Sequence, residues 1–154
     1  MSANSSLAVE ARHAISPSLT LKRRLAASPA KVYAAWTEPK KLMEWFGLRG
    51  ATMLDAQIDA RVGGRFHALF RTPDGEEHSV SGVYREVVPD QKLVFTWAWR
   101  STPERQSLVT IALKDEGKAT LLTLLHEQFF DESARDRHRV GWGGTLDRLE
   151  AFFA

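Results

Sequence analysis

Hydrophobic residues alternate with polar ones through the middle of the chain, from residue 51 to residue 127. Alternation with a period of two is typical of β-strands that bury one face. Gly, Pro and Asp interrupt this stretch at short intervals, and these residues favour turns. The pattern therefore predicts a meander of six antiparallel strands. The predicted strands are Thr52–Asp59, Arg65–Arg71, Glu77–Val88, Lys92–Trp99, Ser107–Lys114 and Ala119–Glu127.

The region before the meander is predicted to hold one more strand and two short helices. Leu19–Leu25 fits a first strand, although its apolar positions require a slip of register before the last residue. Ser28 can cap a helix, and Pro29 suits the first helical position. Pro39 begins a second short helix directly after the first one.

The end of the chain has a helical period, which predicts a long amphipathic helix. Asp131 can cap its start, and the pattern continues to Phe153, a length of about 20 residues or about 30 Å. Its apolar face must pack on another surface, and the predicted sheet offers the only large one. A curved sheet around a straight helix leaves a gap that forms a natural pocket. The inward residues are Ala134, His138, Trp142, Thr145, Leu146, Leu149, Phe152 and Phe153.

Several short segments occur in an order and spacing that a known family shares. They are Ala35–Pro39, Trp45–Gly47, Gly63–Phe66, Gly82–Pro89, Leu93–Trp97 and Gly141–Trp142, with Leu146 and Leu149. Together they resemble the START-like, helix-grip superfamily (SRPBCC). The branch they resemble is named for the activator of the ninety-kDa heat-shock chaperone's ATPase. The resemblance covers residues 19–153, with one departure at Leu48, where the family often has Pro at the pocket rim.

This resemblance implies an α+β helix-grip fold. In that fold a curved antiparallel seven-stranded sheet surrounds a long C-terminal helix, and two short helices follow strand one. It also implies a cavity that takes apolar small molecules, and the branch name adds an association with the stress response. The superfamily includes polyketide cyclase-like members, lipid binders and chaperone regulators, so the fold alone does not choose among these functions.

Composition narrows the function classes further. The 154 residues include no Cys, which removes disulfides, thiolate metal sites and Cys nucleophiles. The net charge of +2 is too small to indicate nucleic-acid binding. No apolar run approaches the ~20 residues of a membrane span, and Met1–Ser6 lacks the features of a secretory signal. We therefore expect a cytoplasmic protein, with a flexible lead-in at residues 1–17 and a single domain at residues 18–154.

No catalytic or cofactor motif is present in the sequence. There is no nucleophile elbow, no phosphate-binding loop and no dinucleotide-binding turn, and Gly63-Gly64 is an isolated pair that predicts a turn. The five His residues show no metal-ligand spacing. Adjacent acidic residues occur at turns or helix starts, where capping explains them. We expect no cofactor, no metal and no assignable catalytic residue, and whether the protein is an enzyme stays open.

Aromatic residues and two histidines are the strongest candidates for a binding site. Trp97 and Trp99 alternate along one predicted strand and therefore share a face. His126 ends the last strand and His138 lies one helical turn before Trp142, so both histidines could border one end of the cavity. The predicted ligand-binding residues are Trp45, as a candidate lid, with Phe66, Tyr84, Trp97, Trp99, His126, His138 and Trp142.

Three functions remain open at this point. The first is a binding module that holds a small apolar or aromatic molecule in the cavity. The second is an interaction protein that regulates a chaperone ATPase. The third is an enzyme of cyclase or hydrolase type, with His126, His138 or Tyr84 as proton carriers. A homodimer could form through a small apolar stripe on the outer side of the last helix, which comprises Val140, Gly144 and Ala151.

Overall fold

The structure is a computed structural model that describes residues 16–154. The predicted lead-in at residues 1–17 therefore lies almost wholly outside the described residues. The elements follow the predicted order, and three strand ends differ from the prediction by one residue each. They are β1 (Leu19–Leu25), α1 (Pro29–Thr37), α2 (Pro39–Trp45), β2 (Thr52–Ile58), β3 (Arg65–Arg71), β4 (Glu77–Val88), β5 (Lys92–Trp99), β6 (Ser107–Asp115), β7 (Thr120–Glu127) and α3 (Glu132–Phe153).

Seven strands form one antiparallel sheet in the order β1-β7-β6-β5-β4-β3-β2. Strands β2 to β7 lie side by side in chain order, and β1 pairs with β7 at the edge. The register shifts once in β2, between Met53 and Asp55, and once in β4, between Tyr84 and Glu86. Such irregularities bend strands, and the sheet curves around α3. The predicted helix-grip architecture is confirmed.

The predicted register slip in β1 is wrong. Strand β1 pairs continuously with β7 along its whole length, and its burial alternates without interruption. The inward positions are therefore 19, 21, 23 and 25, and the third of these is Arg23. Its guanidinium reaches Asp147 at 3.3 Å and Glu150 at 3.0 Å, both on α3. Pairing with these carboxylates explains the polar residue that made the pattern look interrupted.

Both predicted helix caps are confirmed. The Ser28 hydroxyl accepts a hydrogen bond from the Lys31 N–H at 3.4 Å, and Pro29 stands in the first turn of α1. The Asp131 carboxylate accepts one from the Ala134 N–H at 2.8 Å, which sets the start of α3. Helix α3 lies against β1 and α2. Its buried residues are Ala134, Trp142, Thr145, Leu146 and Leu149.

The Gly63-Gly64 pair forms the predicted turn before β3, and each of the two positions requires glycine for a different reason. Gly63 has a φ of +84°, in the left-handed region that favours glycine. A Cβ on Gly64 would collide with the carbonyl oxygen of Asp59, so this position permits a close approach of two backbone segments.

The stripe on α3 that the sequence suggests as a dimer contact is exposed at two of its three residues, and Gly144 is half-buried. Val140 is 79% exposed and Ala151 is exposed as well, while a Cβ on Gly144 would lie 3.6 Å from the Arg49 Cβ. The homodimer stays a prediction. Neither α3 nor any other helix of residues 16–154 combines the length and the apolar character needed to cross a membrane.

Candidate functional site

A cavity of about 340 Å³ opens between the first half of α3, strand β5 and the connection after β5. This volume falls within the range of clefts that hold small organic ligands. Most of the lining is aromatic or aliphatic. The lining residues are Phe46, Gly47, Leu48, Phe70, His78, Trp97, Trp99, Ser101, Thr102, Arg105, Ser107, Phe129, Phe130, Ala134, Arg137, His138, Gly141, Trp142 and Thr145.

Four of the predicted ligand-binding residues line this cavity: Trp97, Trp99, His138 and Trp142. The ring centroid of Trp97 lies 5.0 Å from that of Trp142 and 5.5 Å from that of Trp99. Trp97 and Trp142 are each only 4% exposed, so they belong to the packed core as well as to the cavity wall. The cavity therefore reaches into the packed core at this end, while its other end opens at the surface beside the exposed residues Arg105, Phe130 and Arg137.

His126 lies behind this wall and is completely buried. Its Nδ1 accepts a hydrogen bond from the indole N–H of Trp142 at 2.9 Å. A neutral imidazole carries one proton, which must then be on Nε2, facing the Ser107 hydroxyl at 2.7 Å. The Ser107 hydroxyl donates in turn to the Trp97 carbonyl oxygen at 3.3 Å. Burial holds the pKa of His126 well below its usual value, and His138 lowers that pKa further.

His138 forms an equivalent pair with a second tryptophan. Its Nε2 accepts the indole N–H of Trp99 at 2.9 Å, and its Nδ1–H donates to the Ala134 carbonyl oxygen at 2.7 Å. Burial lowers the pKa of His138, the Ala134 carbonyl opposes that shift, and the Arg137 guanidinium adds to it. Both imidazoles are therefore neutral and fixed in one tautomer.

Neither histidine presents a free lone pair to the cavity. A general base must accept a proton from its target, but both acceptor nitrogens already receive an indole N–H. In the Ser107–His126 pair the proton is on the nitrogen that faces the serine, the reverse of what activation of a nucleophile requires. The arrangement suits the positioning of aromatic rings better than proton transfer.

The structure places His126, Trp45, Phe66 and Tyr84 outside the cavity lining. Trp45 is fully buried and its indole N–H donates to the Ala35 carbonyl oxygen at 3.0 Å, which joins α2 to α1. Phe66 and Tyr84 lie around a separate void of only about 20 Å³. We call this region the closed end. Its lining residues are Trp36, Leu42, Phe46, Ile58, Phe66, Tyr84, Phe95 and Trp97.

Rings in contact fill the closed end. The centroids of Phe66 and Phe95 are 4.9 Å apart in an edge-to-face arrangement, and Tyr84 lies 5.7 Å from Phe95. Burial raises the pKa of the Tyr84 hydroxyl, and Tyr33 and Asp59 raise it further. This phenol therefore stays protonated near neutral pH, which makes it a poor proton carrier.

Several lining residues of the cavity were missed by the sequence analysis. Phe70 follows Phe66 on the inward face of β3, so the same alternation could have indicated it. Phe129 and Arg105 lie in connections between elements, where no hydrophobic period places a side chain. For these two positions the sequence carries no usable signal.

A serine, a histidine and an aspartate meet on the outer face of the sheet. His67 Nε2 is 2.8 Å from the Ser79 hydroxyl, but the Asp55 carboxylate is 4.0 Å from His67 Nδ1, too far for a hydrogen bond. Asp55 instead accepts a hydrogen bond from the Gln57 amide at 3.0 Å. We interpret this cluster as cross-strand surface contacts. The described residues contain no group of three or more His, Cys, Asp or Glu that could hold a metal ion.

Comparison with known families agrees with this architecture. The family model described as "Activator of Hsp90 ATPase homolog 1-like protein" matches residues 26–154. The chain belongs to this family. Two crystal structures are similar over nearly their whole length. A Chromobacterium violaceum protein is 28% identical with a TM-score of 0.79, covering 89% of this chain and 97% of its own. The AHSA1 protein of Silicibacter pomeroyi is 28% identical with a TM-score of 0.78, covering 88% and 96%.

A human relative in this family is named activator of 90 kDa heat shock protein ATPase homolog 1. It is 29% identical over 125 residues, which are 80% of this chain and 33% of the human protein. The chain thus spans about a third of that relative's length. The family relation supports a shared fold. The activity named for the human protein belongs to a longer chain.

Proposed function

We propose that the protein binds a small hydrophobic or aromatic molecule in the cavity. The observation that carries this proposal is the contrast in volume between about 340 Å³ here and about 20 Å³ at the closed end. Trp97, Trp99 and Trp142 present apolar ring surface to this open volume. Removing such surface from water is favourable by roughly 25 cal/mol per Å².

Two tryptophan–histidine hydrogen bonds support the proposal. Trp99 is held by His138 and Trp142 by His126, so two walls of the cavity are fixed before a ligand arrives. A preorganised site loses less conformational entropy on binding. The same bonds occupy the lone pairs that an enzyme of hydrolase or cyclase type would need, which favours binding over catalysis.

Two phenylalanines on β3 provide a matched test. Phe66 and Phe70 are both buried on the inward face, but only Phe70 lines the cavity. Phe66→Leu and Phe70→Leu should each lower the free energy of unfolding by about 1–2 kcal/mol. Only Phe70→Leu should weaken binding of the neutral fluorescent probe N-phenyl-1-naphthylamine, by about threefold or more in a titration. Equal weakening in both variants, or no saturable binding by the native protein, would contradict the proposal.

A second candidate is regulation of a chaperone ATPase, which the family relation favours. Such an interaction would use the outer surface, so Phe70→Leu should leave it unchanged. The test is the ATPase rate of a purified ninety-kDa heat-shock protein with and without this chain. An unchanged rate together with no co-sedimentation would remove this candidate.

A further inference from the structure

The lining of the cavity contains basic side chains and no acidic ones. Its lining includes two arginines, Arg105 and Arg137, and no aspartate or glutamate. Arg105 lies in the connection between β5 and β6, and Arg137 lies in the first half of α3. Two separate elements therefore bring positive charge to the exposed edge of the cavity, which we call its mouth.

Neither guanidinium is neutralised within residues 16–154. Arg105 stacks on the ring of Phe130, with its Cζ 3.9 Å from the ring centroid. Arg137 donates to the Ser133 hydroxyl at 2.7 Å. No carboxylate of the described chain lies within 4.0 Å of either arginine. Six other described arginines are ion-paired, namely Arg23, Arg24, Arg49, Arg61, Arg71 and Arg135, while Arg65, Arg85, Arg100, Arg139 and Arg148 are not.

The inner part of the cavity offers no charge. Trp97 and Trp142 form its wall, and burial lowers the pKa of His138, whose Nε2 accepts the indole N–H of Trp99. Burying an unpaired guanidinium is costly, and both mouth arginines are accordingly exposed. A bound molecule would therefore meet aromatic rings at its inner end and positive charge at its outer end.

We propose that the cavity takes an anionic amphiphile, with an apolar or aromatic body and a carboxylate at the end that meets Arg105 and Arg137. This inference rests on the proposed function and names the class of ligand. Arginine binds carboxylates through parallel charge-assisted hydrogen bonds, while the body packs on the rings. A neutral molecule of the same shape fills the cavity but leaves both arginines unpaired, and a cationic one is repelled.

Three probes of similar shape separate these cases: 1-naphthaleneacetate, 1-naphthaleneacetamide and 1-(2-aminoethyl)naphthalene. Calorimetric titration of the full chain at about 0.02 M salt should show the acetate binding roughly fivefold to tenfold more tightly than the amide. The amine should bind most weakly. Raising the salt to about 0.5 M should reduce the preference for the acetate, because the Debye length shrinks.

Arginine variants test whether these two side chains cause the preference. The double variant Arg105→Gln/Arg137→Gln should bind the acetate and the amide with equal affinity. The matched control is Arg139→Gln, since Arg139 is an exposed arginine on the same helix but outside the cavity lining. This control should keep the full preference.

The outcomes distinguish this inference from the proposed function. If the native protein binds acetate and amide equally, or the double variant still prefers the acetate, the inference is overturned and the proposed function stands. Binding of N-phenyl-1-naphthylamine without binding of the acetate overturns the inference in the same way. If neither that probe nor any of the three naphthalenes binds, the proposed function fails and the inference fails with it.

Discussion

The cavity and the closed end are both lined by tryptophans and phenylalanines, and the two regions differ in the hydrogen bonds that these rings make. At the closed end, Phe66, Phe95 and Tyr84 pack ring against ring around a void of about 20 Å³. At the cavity, Trp99 and Trp142 each direct an indole N–H to a histidine, and about 340 Å³ stays open beside them. Aromatic content alone therefore does not decide whether an interior is filled.

We interpret this difference through the hydrogen bonds from Trp99 and Trp142 to the two histidines. A buried indole N–H needs an acceptor, and a ring that moved into the cavity would lose one. Rings without such a hydrogen bond are free to approach until they touch, as dense packing of interiors favours. Two buried indole N–H groups have no acceptor among residues 16–154: that of Trp36 at the closed end, and that of Trp97, which lines both spaces.

The largest expected effect is a loss of stability when a glycine beside the closed end is replaced by alanine. The same replacement in the cavity wall serves as its control. A Cβ on Gly82, beside the closed end, would collide with the Thr96 carbonyl oxygen and lie 2.7 Å from a ring carbon of Phe66. Gly82→Ala should therefore lower the free energy of unfolding by about 3 kcal/mol or more. Chemical denaturation measures this loss.

The control is Gly141→Ala in the cavity wall. There a Cβ would meet only the end of the Leu48 side chain, at 3.0 Å. That side chain can move, and Ala favours the helix, so the change should stay within about 1 kcal/mol of the native value. Similar losses for the two variants would show that the cavity end is packed as tightly as the closed end.

The sequence predicted the fold almost residue by residue because its signals are local. Strand alternation, the Ser28 and Asp131 caps and the Gly63-Gly64 turn each depend on a few neighbouring residues. The division between cavity and closed end is not local. Phe66 and Phe70 share residue type, strand and face, yet they line different spaces.

The two tryptophan–histidine hydrogen bonds at the cavity join residues that are also remote along the chain. Trp99 and His138 are 39 positions apart, and His126 and Trp142 are 16 apart. Neither pairing follows from periodicity, because each depends on how α3 lies across the sheet. Sequence reasoning therefore selected aromatic residues and histidines but could not assign each of them to the cavity or to the closed end.

The next expected effect is a dependence of stability on pH that arises at the cavity end. Burial lowers the pKa of His126 and of His138 in the folded protein. Below about pH 6.5 the unfolded chain binds protons that the folded protein does not, so the free energy of unfolding falls as the pH decreases. Above that pH the histidines cause no such loss. Each histidine contributes at most about 1.4 kcal/mol per pH unit. When the pH is lowered from neutral to about 5.5, the free energy of unfolding should therefore fall by up to about 2–3 kcal/mol. Chemical denaturation at a series of pH values measures this loss.

His138→Gln provides the control for this pH dependence. The Gln side-chain oxygen can still accept a hydrogen bond from the Trp99 N–H, but the side chain does not titrate. The slope of stability against pH should then fall by about half. The lowered pKa values of Asp74 and Glu116 belong to carboxylates, which titrate in a more acid range. An unchanged slope would mean that His138 does not contribute to the effect.

The smallest effect isolates the hydrogen bond that distinguishes the two regions. Trp36 and Trp142 are each 4% exposed, and Trp→Phe removes the same atoms from both. Only Trp142→Phe also leaves the buried His126 Nδ1 without a donor, since Trp36 has no acceptor among the described residues. Trp142→Phe should therefore lower the free energy of unfolding by about 1–2 kcal/mol more than Trp36→Phe.

A second measurement on the same pair reports the mechanism directly. In the native protein the Trp142 N–H confines the His126 proton to Nε2, and the ¹⁵N shifts of the imidazole should show this single tautomer. Trp142→Phe removes that constraint, so both tautomers should become populated, whereas Trp36→Phe should leave the spectrum of His126 unchanged. If both variants lose equal stability and leave the tautomer as it was, the hydrogen bond does not hold the cavity open. Its volume would then have to come from the shapes of the packed rings alone.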